Sequence, residues 1–112
     1  MHWRLHRITR GLQMKLETLI SKTIEWHLAR NLIEGSTDKQ QFMKLHEEVG
    51  ELCESIANET DVRDDIGDIM VVLINMATRN GYTLAECLEV AYKDIKDRTG
   101  QMVDGVFVKD AA

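Results

Sequence analysis

Two pairs of acidic residues recur at a three-residue spacing on adjacent stretches of the chain: Glu48 with Glu51, and Asp65 with Asp68. On a helix that spacing puts both members of a pair on one face, one turn apart. At about 100° per residue, Asp65 falls within about 20° of Val72 and Met76, inside an apolar arc. An ionised carboxylate is costly there unless a cation or hydrogen bonds compensate it. Four such oxygen donors from two helices, converging on one point, suit Mg²⁺ or Mn²⁺, which keep several waters and engage phosphates. The competing explanation is a solvated acidic face. It suits Glu47 and Glu54, which lie further from the apolar stripe, better than it suits the quartet.

Other chemistries lack their residues. No Glu has a His three positions later, as a diiron carboxylate bundle would require. There is no phosphate-binding Gly-rich loop, His-Glu-x-x-His, Gly-x-Ser-x-Gly or Cys-x-x-Cys. Cys53 and Cys87 are isolated and make no disulfide framework.

The elements that must position these acids read as four helices. The first runs from about Lys15 to Glu34, with Leu16, Leu19, Ile20, Ile24, His27 and Leu28 at helical spacing. Thr37, with Gln40 three residues on, starts a second to about Asn58, whose expected core face is Phe42, Leu45, Val49, Leu52, Cys53 and Ile56. Asp61 can cap a third to about Arg79, apolar nearly all round and so expected at the centre or shared with a second subunit. Asn80-Gly81 supplies its left-handed stop. Thr83 and Glu86 form a capping box for a fourth, Leu84 to Arg98, with Leu88, Ala91, Tyr92 and Ile95 inward and Gly100 ending it. The tail from about 101 holds one apolar patch, Val106-Phe107-Val108, suited to a strand or a strap. Short joints between helices predict an all-α, four-helix antiparallel bundle.

Composition agrees. Pro is absent, aromatics are 5% and hydrophobic residues 44% of 112 residues, enough for one domain with apolar surface to spare for a subunit interface. The net charge of −5 is uneven. Arg4, Arg7, Arg10 and Lys15 make the start basic, and the rest is strongly acidic. An acidic body approaches a phosphate only with divalent cations between them. Residues 1–13 read as a basic, unstructured extension ahead of a domain over 14–112, with a nucleic-acid arm as the weaker reading. They lack the apolar segment of a secretory signal. No run is long enough for a membrane span, and the setting expected is cytoplasmic.

Lys44-Leu45-His46-Glu47-Glu48-Val49-Gly50-Glu51-Leu52, followed by Asp64-Asp65-Ile66-Gly67-Asp68-Ile69, resembles the two-part acidic motif of the MazG-like all-α nucleoside triphosphate pyrophosphohydrolases. Trp26-His27-Leu28-Ala29-Arg30-Asn31-Leu32 is similar to the first helix of the small dCTP-pyrophosphatase-like members. The likeness spans roughly Ile20 to Arg98. It implies Mg²⁺ ligands at Glu48, Glu51, Asp65 and Asp68, and an auxiliary acid at Glu47 that ligates metal or orients water as a base. It implies substrate contacts at Trp26 and His27 for the base, and at Lys93, Asp97 and Arg98 for phosphate or sugar. The activity implied is cleavage of a (d)NTP to the monophosphate and pyrophosphate, in nucleotide-pool housecleaning, by a homodimer or a tetramer of paired dimers. Two positions depart from the family: Asp65 stands where its motif has Glu, and Asp97 where it has Asn. The alternative is a non-catalytic helical dimer, a binding or regulatory protein with a degenerate metal site.

Overall fold

Thr37 and Thr83 each accept a hydrogen bond from the backbone three residues on, at 3.1 and 3.0 Å, and each opens a helix. At Thr83 the box is complete, because Glu86 accepts from the Thr83 N–H in return. The computed structural model describes residues 14–111, so the expected basic extension over 1–13 lies outside the described residues. Helices α1 (Leu16–Ala29), α2 (Asp38–Ala57), α3 (Arg63–Arg79) and α4 (Leu84–Ile95) are followed by strands β1 (Gly100–Val103) and β2 (Val106–Lys109).

Three helices end in the same way. The residue after the cap turns left-handed at Asn31 (φ 56°), Glu59 (φ 55°) and Gly81 (φ 81°). The next N–H then reaches back to a carbonyl in the last turn: Leu32 to His27, Thr60 to Ser55 and Tyr82 to Ala77, each at 2.9 Å. The stop at Asn80-Gly81 is where the sequence predicts it. The first helix, however, ends at Ala29 rather than Glu34, because Asn31 tolerates the left-handed conformation better than most residues. Asp61 does not cap the third helix as expected: α3 begins at Arg63 after Val62, which makes no side-chain cap bond, and Asp61, one residue earlier, accepts from the Arg63 N–H at 2.9 Å.

Helix α3 is the hub. Within the described residues, α1, α2 and α4 each pack on it and not on one another. The buried apolar side chains, Val72, Ile74 and Ala77, are all its own. Asp38 at the start of α2 meets Arg79 and Asn80 at the end of α3, while Glu48 and Glu51 meet Asp68, so α2 and α3 are antiparallel. Arg79 also donates to the carbonyls of Ile33 and Ser36, tying down the connection between α1 and α2.

Two expected faces are corrected. On α2 the side turned toward α3 is Gln41, Leu45, Glu48, Leu52 and Ser55, whereas Phe42 (58% exposed), Val49, Cys53 and Ile56 form a second stripe facing out. The two stripes are one residue, about 100°, apart, and the more polar one is inside. On α4 no residue is buried: Leu88 is 68% exposed, and Ala91, Tyr92 and Ile95 are also outside. Only the start of α4 reaches α3, where Tyr82, Leu84 and Cys87 close an apolar groove with Leu73 and Met76.

The tail is a β-hairpin, pairing Val103 with Val106 and Gly100 with Lys109. Asp104 and Gly105, at φ 49° and 82°, make the two-residue turn with both residues left-handed, which an Asp-Gly pair favours. Gly100 belongs to this hairpin and does not terminate α4: a Cβ there would lie 2.3 Å from the Val108 carbonyl oxygen.

Candidate functional site

Where α2 crosses the first half of α3, carboxylate oxygens of Glu48, Glu51 and Asp68 lie within 4.8 Å of one another. Glu48 is the buried member, at 6% exposure. It projects from the inward stripe of α2, where a helix pair would ordinarily place an apolar side chain. Its Oε1 is 3.2 Å from the Lys44 ammonium one turn earlier. Its Oε2 is buried and accepts no hydrogen bond within the described residues.

The electrostatics follow from this crowding. Glu51 is held above the usual carboxylate range, first because a proton on it is shared with Glu48, then by the Glu48 charge. Asp68 is raised first by desolvation, then by the charges of Asp64 and Glu48. The Lys44 ammonium is itself raised, chiefly by its hydrogen bond to Glu48. Three carboxyl groups thus compete for protons in one place, about the buried side chain of Glu48. Glu48, Glu51 and Asp68 could together hold a hard cation, for which an all-oxygen donor set is suited.

Asp65 does not join the cluster. It is half-buried on α3, one turn before Asp68 and further from the level of Glu48. Its charge still helps to raise Asp68. Glu47 is exposed and 3.5 Å from Lys44, on the rim of the cluster.

The α1 residues divide between core and surface. His27 is 3% exposed, with both ring nitrogens engaged: Nε2 lies 3.0 Å from the Val71 carbonyl and Nδ1 3.3 Å from the Asn75 amide nitrogen. A carbonyl only accepts and an amide NH₂ only donates, so the ring is the Nε2–H tautomer. Asn75, fully buried, also donates to the Leu32 carbonyl at 3.0 Å. This chain fixes the register of α1 on α3. Trp26, next in sequence, stays half in solvent and carries the Arg30 guanidinium 4.3 Å over its ring. It lines a cleft of about 410 Å³ with Leu19, Lys22, Thr23, Val71 and Asp68. Asp68 therefore belongs to both the acidic cluster and the cleft.

The remaining expected contacts stand apart. Lys93 pairs with Glu89 at 2.9 Å and Arg98 with Asp94 at 2.6 Å, while Asp97 is exposed beside Lys96 in the turn after α4. None of them lines the cleft. Sequence reasoning missed Lys22 and Thr23; the available signal was Lys22 one turn before Trp26.

Fold and site together define a mostly helical protein with a three-carboxylate centre between α2 and α3, opening on a cleft against α1. No protein-family model matches the chain, and no solved structure matches it. Over 67 residues it is 48% identical to an uncharacterized 18.2 kDa protein in the rep-hol intergenic region of Haemophilus phage HP1 (strain HP1c1). The match takes in 58% of this chain and 41% of that protein, so the chain spans less than half the length of this relative. Among the described residues no helix is long and apolar enough to cross a membrane.

Proposed function

We propose that the protein is a Mg²⁺-dependent nucleoside triphosphate pyrophosphohydrolase of MazG-like type. The observation that carries this reading is the buried Glu48 Oε2, without a hydrogen-bond donor and facing two more carboxylates. Glu48, Glu51 and Asp68 would hold the cation, with Mn²⁺ as a substitute. When bound, it supplies neutralisation of phosphate charge and activation of water. Asp68, shared with the cleft, brings the phosphates to the cluster. Trp26 offers an apolar face to the base, and His27 holds Trp26 in place through Val71 and Asn75. Glu47, exposed at the rim and paired with Lys44 at 3.5 Å, would orient water as a general base. The products are a (d)NMP and pyrophosphate, in nucleotide-pool housecleaning and a cytoplasmic setting.

Completion of a four-helix bundle by a second copy, as a homodimer or pair of dimers, is part of the same reading. The outward stripe of α2 and the apolar side of α4 support it, as does a core drawn from one helix. Lys93, Asp97 and Arg98 would then serve a site only as assembled across subunits.

The test is incubation with Mg²⁺ and a panel of canonical and modified dNTPs and NTPs, with products separated by chromatography. Monophosphate and pyrophosphate are expected. Glu48→Gln and Asp68→Asn should each lower turnover by more than about a hundredfold, since loss of an outer partner alone often costs 10–100-fold. Asp65→Asn, outside the cluster, should cost less than about tenfold on the same scale. Diphosphate and inorganic phosphate would overturn the bond assigned. A second reading, a helical binding or regulatory dimer without turnover, draws on Asp65 standing apart. No hydrolysis with any nucleotide under Mg²⁺ or Mn²⁺ would favour it.

A further inference from the structure

We infer that Lys22 is a phosphate contact of the substrate, so that the cleft between α1 and α3, not the end of α4, grips the anion. The inference rests on the nucleotide reading above and adds a residue to it.

Lys22, Trp26 and Arg30 follow one another at four-residue spacing and form a single stripe along α1 and its cap. The two cations flanking the indole are in different states. Arg30 is committed: its guanidinium lies over the Trp26 ring and Nη1 donates to the Trp26 carbonyl at 3.1 Å. The Lys22 side chain makes no hydrogen bond or ion pair within the described residues, although it lines the same cleft as Asp68. Lys44, Lys93 and Arg98, by contrast, are each within 4 Å of a carboxylate.

A flexible ammonium at one side of a cleft, an apolar ring beside it and an acidic cluster beyond match the parts of one ligand class. A nucleotide with a polyphosphate tail presents a flat base to Trp26 and phosphate oxygens to Lys22 and to a cation held at Asp68. A neutral nucleoside would leave Lys22 unused. An anion without a ring would leave Leu19, Trp26 and Val71 unused. Because α1 is pinned to α3 through His27, the distance from Lys22 to Asp68 is set by the fold and not by the ligand.

Lys22 is exposed on a helix, so Ala there is compatible with folding. Lys22→Ala, Lys22→Arg and, as a control on the hairpin, Lys109→Ala would be titrated by calorimetry in Mg²⁺ with two probes. One is a set of dNTP analogues with a non-hydrolysable α–β bridge, and the other is inorganic tripolyphosphate. Loss of one charge-assisted hydrogen bond predicts about a tenfold higher Kd for both probes in Lys22→Ala. Lys22→Arg should recover most of the loss, and Lys109→Ala should match wild type. With hydrolysable substrate, KM should rise by the same factor and kcat stay unchanged. Wild-type affinity in Lys22→Ala, beside wild-type hydrolysis, would overturn the role of Lys22 and leave the enzyme reading intact. A wild-type protein that binds neither probe would overturn both.

Discussion

Glu48→Gln should make the divalent-free protein more stable while abolishing its response to Mg²⁺. The buried Oε2 has no donor in the described residues and faces Glu51 and Asp68. An unpartnered buried polar atom costs about 1–3 kcal/mol. Gln has nearly the same volume, removes one of the crowded charges and brings an amide that can donate to a neighbouring carboxylate. Gln keeps an oxygen that can accept from Lys44, so what is lost is the charge on the buried side of a pair whose other member is more than half in solvent, at about 1 kcal/mol, the upper end for exposed pairs. The net is about 1 kcal/mol of stabilisation, or roughly 4–8 °C in Tm for a domain of this size. For wild type, Mg²⁺ at ten times its Kd adds about 1.4 kcal/mol, roughly 6–11 °C. The order of melting should therefore reverse: the variant melts higher in EDTA, and wild type higher in excess Mg²⁺. Melting followed by circular dichroism at fixed protein concentration measures both. A variant that melts below wild type in EDTA would refute the reasoning, as would a wild-type Tm indifferent to Mg²⁺ and Mn²⁺.

Two further outcomes follow from the same geometry. Glu51 and Asp68 bind protons more tightly folded than unfolded, so in EDTA their contribution to stability is full below the ordinary carboxylate range and lost as pH rises through their raised folded values. Tm in EDTA should thus rise as pH falls from neutral toward that range, and excess Mg²⁺ should flatten the trend, because its ligands must be deprotonated. A Tm in EDTA that falls throughout this window would count against the crowded cluster. Asn75→Leu should strand the Leu32 carbonyl and His27 Nδ1 in the interior while removing the Asn75 Oδ1, itself buried without a donor, for a net loss of about 1–3 kcal/mol. Urea unfolding would show this as a midpoint lowered by roughly 1–2 M, and an unchanged midpoint would mean the chain through His27 does not hold α1.

The parts of this structure legible in sequence are those decided locally. The caps at Thr37 and Thr83 and the stop at Asn80-Gly81 each need only a few neighbouring residues, and all are where their chemistry puts them. Asp104-Gly105 was equally local, a hairpin signal that a search for alternating strands passes over. The hub role of α3 was readable because apolar residues run nearly all round its second half. The face of α2 was not: apolarity alone selects Phe42, Val49, Cys53 and Ile56, and the helix instead turns Glu48 inward. Three of the four paired acids meet as their spacing suggests. Asp65 does not, because an i, i+3 pair is offset by a full turn along the axis, and only the crossing point of α2 and α3 decides which member reaches the cluster. Lys22 was missed because a lysine one turn from a tryptophan is common on any helix and does not by itself reveal a cleft. It acquires meaning only beside Trp26 and Asp68.

The two stripes of α2 amount to a choice between two rotational settings of one helix. A turn of about 100° would lay Phe42, Val49, Cys53 and Ile56 on α3 and send Glu48 out into water. Hydrophobicity by itself favours that rotated setting. The observed one is held at one end by Asp38 against Arg79 and Asn80, and in the middle it brings Glu48 against Asp68. A cation shared between those carboxylates would act as a detent, favouring the setting in which the helix shows its greasier side to the outside. If the cluster takes up a cation, loading it and exposing the Phe42, Val49, Cys53 and Ile56 stripe belong to one rotational state.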